Sequence, residues 1–369
     1  MPLTFDPSEG LRKPKPGPNT AAYAAVRLFP KIAMATLVQG CIVQDESVAK
    51  RLISYVRTQS ARTIRWHAPC LTLTPADSAF AAATEIHMIK NILVCLEGSP
   101  SSDAAMRTAV QIARETKAFL VGMAIVDKPD IEAGTATGVG GASFKHERDE
   151  ALLAQGRAHA SAWLDAFDQY CRDKDIRART LEVFGKPVES ILDEMKHHDL
   201  TVIGREANFK FETQDKDSRT LGKILRRSYR PVLLVPGSTP SASGLLGKTV
   251  LVAYDGSVAA NRALAGFLGS GLAQSRDIHI ATFGDDGEQA EDIAVAAADR
   301  LAASGIHAFA HGFVSALPTE EAIVDFGRQI GAGLLVMGAC ARSGFSAIFH
   351  RSKMNHVIAH SSMPLCVQH

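Results

Sequence analysis

Much that would announce chemistry is missing from this 369-residue chain. Its six cysteines (Cys41, Cys70, Cys95, Cys171, Cys340, Cys366) are scattered, with no CxxC pair and no zinc-ligand spacing. Cys95 and Cys366 fall inside apolar, strand-like runs and read as small buried hydrophobes, a usage that suits a reducing cytoplasm. An excess of one charge is missing too. Forty Lys and Arg against 39 Asp and Glu leave a formal net charge of +1, so no overall field draws the chain to nucleic acid or to an anionic membrane. Aromatics make up 6% and are not interleaved with basic runs, which argues against a single-strand-binding surface. Long apolar runs are also lacking. The least hydrophilic N-terminal stretch, 21–43, is interrupted by Arg27, Pro30 and Lys31 and has neither the length of a membrane span nor a clean signal-peptide core. There is no GxSxG elbow and no Walker A loop. The Ser-Gly-Gly-x-Asp-Ser and His-Ile-Gly-His-type motifs of nucleotidyl-transfer enzymes are absent, as is the acidic pair plus lysine of a receiver domain.

What is present is a globular composition, 46% hydrophobic and 21% charged, with length for two ordinary domains. Residues 1–87 stand apart. They open on a Pro-rich basic run (Arg12, Lys13, Pro14, Lys15, Pro16, Pro18) and show no sustained period apart from a short helical pattern over 46–58. A targeting arm, an irregular extension, or a misplaced start with Met88 as the native one are the open readings.

From Met88 the pattern is regular. An apolar run at 92–96 ends in Glu97-Gly98-Ser99-Pro100, which predicts a helix with Ser99 as N-cap and Pro100 in its first turn. A second strand follows at 119–126, then a Gly-rich loop (Gly134, Gly138, Gly140, Gly141) and a long helix to about Arg172. A strand near 180–183, a helix from Pro187, a strand at 200–203 ending at Gly204, a helix at 221–227 and a strand at 232–235 complete the set. Near-continuous apolar strands alternating with helices predict a parallel sheet covered on both faces. Residues 238–247 read as a linker. Then the pattern restarts: Val250-Leu251-Val252-Ala253-Tyr254-Asp255-Gly256-Ser257 matches 92–99 position by position. Leu317-Pro318 echoes Lys186-Pro187, residues 334–338 echo 200–204, and 363–367 echo 230–234. Landmarks repeated in one order signal a duplication.

On these residues the chain resembles the universal stress protein family in its tandem form, over 88–369. The resemblance implies two doubly wound α/β domains of Rossmann-like, flavodoxin-like (HUP) type, at 88–237 and 248–369. Each has a five-stranded parallel sheet of order 3-2-1-4-5, with ligand at the carboxyl ends of strands one and four. It also implies a phosphate loop after strand four of the form Gly-x-x-Gly, nine residues, then Gly-Ser or Gly-Thr, where backbone N–H groups cradle phosphate. The acidic residue ending strand one is placed for a ribose or adenine edge. In the C-terminal copy the corresponding residues are Ala253, Tyr254, Asp255, Gly256, Ser257, Gly338, Ala341, Arg342, Arg351 and Ser352. Ala341 replaces the second glycine and Arg351 the third, and Arg351 either bonds phosphate or fills the cradle. In the first copy Glu97, Gly98, Ser99, Gly204, Ala207 and Ser218 are the degenerate counterparts, and Asp217 beside Ser218 would repel phosphate.

His356 and His360, four apart and six or more beyond His350, have metal-ligand spacing but no local third ligand, and read more simply as a solvated helix face. His197-His198 ends a helix, where an imidazolium would be favoured. Asp285, Asp286, Glu288, Glu291 and Asp292 suit a helix N-terminus better than an ion. Arg226, Arg227 and Arg230 read as a solvated basic face. No catalytic set and no metal site emerge. The expectation is a cytoplasmic, non-catalytic stress-response sensor or scaffold, with ATP or AMP as candidate ligand in the C-terminal copy only. Its copies would pack with pseudo-twofold symmetry, a homodimer is open, and the protein partners are unnamed. The alternatives are an ATP- or AMP-binding switch or slow ATPase, and an adhesion or transport accessory using the basic arm.

Overall fold

Alternation of residues along each strand organises the molecule. The computed structural model describes residues 11–12, 89–133, 142–207, 209, 219–237, 246–339 and 351–369. These all lie in one of the two units into which the chain divides, that formed by residues 1–13 and 85–369. The expected helix at 46–58, the Gly-rich loop at 134–141 and most of the linker lie outside the described residues.

The strands are β1 (Leu11–Arg12), β2 (Asn91–Leu96), β3 (Phe119–Val126), β4 (Ala178–Phe184), β5 (Leu200–Gly204) and β6 (Val232–Val235), then β7 (Thr249–Ala253), β8 (Asp277–Phe283), β9 (Ala308–Ser315), β10 (Leu334–Gly338) and β11 (Leu365–Gln368). The helices are α1 (Pro100–Thr116), α2 (Lys128–Ala133), α3 (Ala142–Asp173), α4 (Pro187–Glu194), α5 (Arg219–Arg227), α6 (Val258–Gly269), α7 (Gly287–Ala303), α8 (Thr319–Gln329) and α9 (Arg351–His360). Ser99 caps α1 by accepting from the Ser102 N–H, with Pro100 in the first turn, as its sequence predicts. Asp286 caps α7 by accepting from the N–H groups of Glu288 and Gln289, which accounts for part of the acidic cluster. Glu291 takes the Gly312 N–H.

The strands form one sheet of order β1-β9-β8-β7-β10-β11-β6-β5-β2-β3-β4. Within each half the pairing is parallel and the order is 3-2-1-4-5, as expected. The halves meet through an antiparallel pairing of β6 with β11, so, β1 aside, the order reads the same outward from that pairing in either direction. Leu93, Cys95, Val121 and Met123 point into one buried cluster, with α4, α5, α8 and α9; Ile92, Val94, Leu96 and Leu120 point into the other, with α1, α3, α6 and α7. Both clusters run through both halves, giving three layers with a shared core. Each Leu, Ile or Val buried there contributes about 1.5–3 kcal/mol. Arg276, 9% exposed at its side chain, adds a polar tie by bonding Glu115 of the first half at 2.7 Å.

The sequence did not single out β9. Its residues alternate Ala, Phe, Ala, His, and Phe309 stays 46% exposed. Lying near the sheet edge, it lacks the continuous apolar run that marks a central strand. Two residues of the region before Met88, those of β1, pair antiparallel with its end, Leu11 opposite Ser315 and Arg12 opposite Val314.

His198 requires a correction. The structure buries it to 2% exposure with Nδ1 2.7 Å from the Glu194 carbonyl oxygen at the end of α4. Burial pushes its pKa down, against smaller raising effects of Glu194. The ring is therefore held neutral, donating from Nδ1, where an imidazolium had been expected. Because the folded-state value lies below the unfolded one, the unfolded chain takes up this proton first as pH falls. Stability is full above the ordinary histidine range near about 6.5 and declines as pH drops through it. His279, also lowered by burial, acts with the same sign. Melting temperatures measured from neutral to mildly acidic pH should fall, and His198→Asn, which keeps an N–H for the Glu194 carbonyl, should flatten that slope.

Candidate functional site at the ends of strands one and four

Two short turns, one per half, lie where the strand order reverses, the position at which open α/β sheets leave a crevice. In the C-terminal half, β7 ends at Ala253. Tyr254 follows at 9% exposure, then half-buried Asp255, exposed Gly256 and the α6 N-cap Ser257. The Asp255 carboxylate accepts the Ser257 N–H at 2.9 Å, and Ser257 Oγ accepts the Ala260 N–H at 3.1 Å. Gly256 has a φ of 75° and closes the turn without the cost a side chain would incur there. The structure brings Gly338, the last residue of β10, against this turn. A Cβ on Gly338 would lie 2.6 Å from the backbone of Ala259 and Ala260. This glycine therefore has a packing duty of its own: it lets β10 approach the first turn of α6.

The first half repeats the arrangement with different chemistry. Glu97 has one methylene more than Asp255, and its carboxylate takes the Ser99 hydroxyl where Asp255 takes a backbone N–H. A Cβ on Gly204 would lie 2.8 Å from Ser101 C and Ser102 N, the counterpart of the Gly338 contact. Beyond it the chain turns, with the Ala207 N–H on the Gly204 carbonyl at 3.1 Å. Arg205 pairs with Glu206 at 2.8 Å and donates to the Ser361 carbonyl of the other half. Glu206 also accepts the Gly237 N–H at 3.1 Å. The loop cation is thus spent on protein groups. Ala341, Arg342 and Ser218 lie outside the described residues, and of Arg351 and Ser352 only the backbone, opening α9, is described.

Four residues that the structure places at these turns were not singled out from sequence. Above Gly98, at a φ of 77°, lies the indole of Trp163 from α3, with Nε1 2.3 Å from where a Cβ would stand. Above Gly256 the nearest atom is Ile293 Cγ2 at 3.7 Å. Among the described residues, the first turn is covered by an aromatic ring and the second only by a branched aliphatic at ordinary contact distance. Asn261, one helical turn past the N-cap, accepts from Tyr254 Oη at 3.0 Å and from Arg300 at 2.9 Å, and donates to the Gly256 and Ser257 carbonyls. Burial raises the Tyr254 pKa, so the phenol stays a neutral donor. Arg300 brings a cation to Asn261 and into electrostatic range of Tyr254. Asn261 accepts from both Tyr254 and Arg300, a bridge that no local spacing reveals.

The model of the universal stress protein family matches residues 88–236. The chain carries a universal stress protein domain. Among solved structures, a universal stress protein from Archaeoglobus fulgidus DSM 4304 is similar at 20% identity over 75% of this chain and 97% of its own, with a TM-score of 0.53. Universal stress protein UspA from Lactobacillus plantarum is similar at 23% identity over 40% of this chain and 98% of its own, with a TM-score of 0.31. A universal stress protein in complex with cAMP is similar at 23% identity over 41% of this chain and 99% of its own, with a TM-score of 0.27. No curated protein matches at a significant level.

Other sequence candidates fall away from the two turns. His356 and His360 stack with centroids 4.0 Å apart, and His360 Nδ1 lies 2.9 Å from the His356 carbonyl. Among the described residues no group of three His, Cys, Asp or Glu side chains is placed to hold a metal ion. No helix among them is long and apolar enough to cross a membrane. Cys95, Cys171 and Cys366 are buried free thiols. Burial pushes Cys171 and Cys366 up to about 12, and Cys95 further in the same direction.

The unequal cover over the two turns is measurable as stability. Gly256→Ala should cost about 1–2 kcal/mol, the penalty of a Cβ at positive φ. Gly98→Ala should cost about 1–3 kcal/mol more, because the methyl also displaces the Trp163 indole. Urea denaturation of the two variants reads the difference.

Proposed function

We propose that this chain is a non-catalytic stress-response sensor or scaffold of the cytoplasm. It would be built from two universal stress protein-type halves, 88–237 and 248–369, joined by 238–247 and related by a pseudo-twofold axis through the β6–β11 pairing. In this reading the first half has given up nucleotide binding. The observation that carries it is the Trp163 indole lying over Gly98, where a ligand would have to approach the strand-one turn. Two features support it: Glu97 is tied to Ser99, and Arg205 is bound to Glu206 and Ser361. A ligand entering that turn would have to displace the ring and break an ion pair before making any contact of its own.

A second reading keeps an ATP- or AMP-binding switch in the C-terminal half. It is favoured by the looser cover over Gly256 among the described residues, where Ile293 Cγ2 lies 3.7 Å from a Cβ position, and by the half-buried Asp255 carboxylate, fixed by the Ser257 N–H at the start of α6. Arg300, hydrogen-bonded to Asn261 one helical turn past the N-cap, supplies a positive charge that an anionic ligand would use.

Calorimetric titration of the full chain with ATP and with AMP tests both readings. At most one site per chain should be found, and binding at that site should be lost in Asp255→Ala and kept in Glu97→Ala. A stoichiometry of two would overturn the closed first half. No heat at any of several temperatures would retire the switch and leave the scaffold.

A further inference from the structure

Away from the strand-one turns, the seam between the halves encloses a cleft of 180 Å³. Its floor is apolar: Leu200, Phe267 and Leu272 are each 2% exposed or less. Around this floor stand three polar groups of different kinds. Arg230, from the short connection into β6, is exposed and makes no ion pair among the described residues. Asp199 is held in place by two backbone donors, the Lys90 and Asn91 N–H groups at 2.9 and 3.0 Å. Gln368, at the end of β11, supplies a side-chain oxygen that is enclosed and without a hydrogen-bond partner among the described residues.

The Gln368 oxygen carries the argument. A buried acceptor left unsatisfied costs about 1–3 kcal/mol, so groups of this kind are nearly always paired. The fold makes deliberate room for this one. A Cβ on Gly266 would stand 2.0 Å from Gln368 Oε1, so only glycine at that point of α6 lets the amide lie there. A group outside the described protein that brings an N–H or O–H donor into the cleft would satisfy the oxygen.

We infer that the seam cleft is a binding site for a compact amino carboxylate. Its N–H donor meets Gln368 Oε1 and its carboxylate meets Arg230, while its short apolar body lies on Leu200, Phe267 and Leu272. The anchored Asp199 carboxylate favours the cationic amine at the same mouth. The volume sets the size class. It falls below the roughly 300–1,000 Å³ of sites for drug-sized ligands, which rules out a nucleotide and separates this site from the turns described above. Because residues of both halves line it, a ligand there would bear directly on the pairing of β6 with β11.

Saturation-transfer NMR on the full chain tests this, with 4-aminobutanoate as the probe and butanoate as the donorless control. The expected result is saturable binding of 4-aminobutanoate at millimolar concentration or below, with butanoate at least about tenfold weaker. Arg230→Met should weaken the probe by about tenfold through loss of the charge-assisted pair. Gly269→Leu should abolish its binding. Gly269 lines the cleft at the end of α6, at an ordinary φ, and a Cβ there meets nothing within 4 Å, so the fold tolerates the change. Absence of saturable binding to the natural protein would overturn the inference. So would equal affinity in both variants, or equal binding of butanoate, since either would mean surface adsorption only.

Discussion

Three residue pairs, Leu234 with Leu365, Leu233 with Cys366 and Val232 with Val367, reverse the strand direction in the middle of the sheet. On this pairing the rest of the structure depends. Strand five of a 3-2-1-4-5 sheet is an edge, and an unpaired edge of four apolar residues would be an aggregation hazard. Here each half covers the other's edge. Parallel pairing inside the halves and antiparallel pairing between them produce one sheet with two continuous cores, so neither half has a complete core of its own at the seam. Arg276 on Glu115 and Arg205 on the Ser361 carbonyl follow the same logic, since each spends a cation of one half on an acceptor of the other.

Duplication usually invites the assumption that both copies do the same thing. The geometry of the two strand-one turns argues against it here. Both keep the positive-φ glycine, the serine N-cap and the close approach of a strand-four glycine, because these hold a strand, a turn and a helix together whatever binds there. They differ in what lies above the turn: Trp163 in one case, Ile293 in the other. They differ also in the acid, where one methylene decides between a hydroxyl and a backbone N–H as its partner. The framework is common to both turns, and the surfaces a ligand would meet are not.

Sequence reasoning read the framework well because it is written in local code. Apolar runs bounded by turn residues marked the central strands, and Ser99-Pro100 marked the start of α1. The recurrence of 92–99 as 250–257 marked the second half. Its weakest strand was β9, where a position near the sheet edge, with only its end paired to β1, leaves polar and exposed residues among the apolar ones. It misjudged the charge of His198, since proximity to a helix end is visible in sequence and burial to 2% exposure is not. Trp163 and Arg300 were not recognised as site residues. The first lies 65 positions from Gly98 and the second 45 from Asp255 along the chain, and only the packing of α3 and α7 carries them to the turns.

The amino-acid sequence by itself determined the α/β class, the order of elements, the recurrence of one pattern along the chain and the turns at which strand one meets its helix. Each of these follows from periodicity, capping and glycine placement over a few residues. Only the tertiary structure decided that the two halves share one sheet, that the first turn lies beneath an indole, and that a glycine in α6 makes room for an amide oxygen left unsatisfied among the described residues at the seam. Those are contacts between residues far apart in sequence. Their energy depends on shape and burial at the point of meeting, which no local pattern encodes.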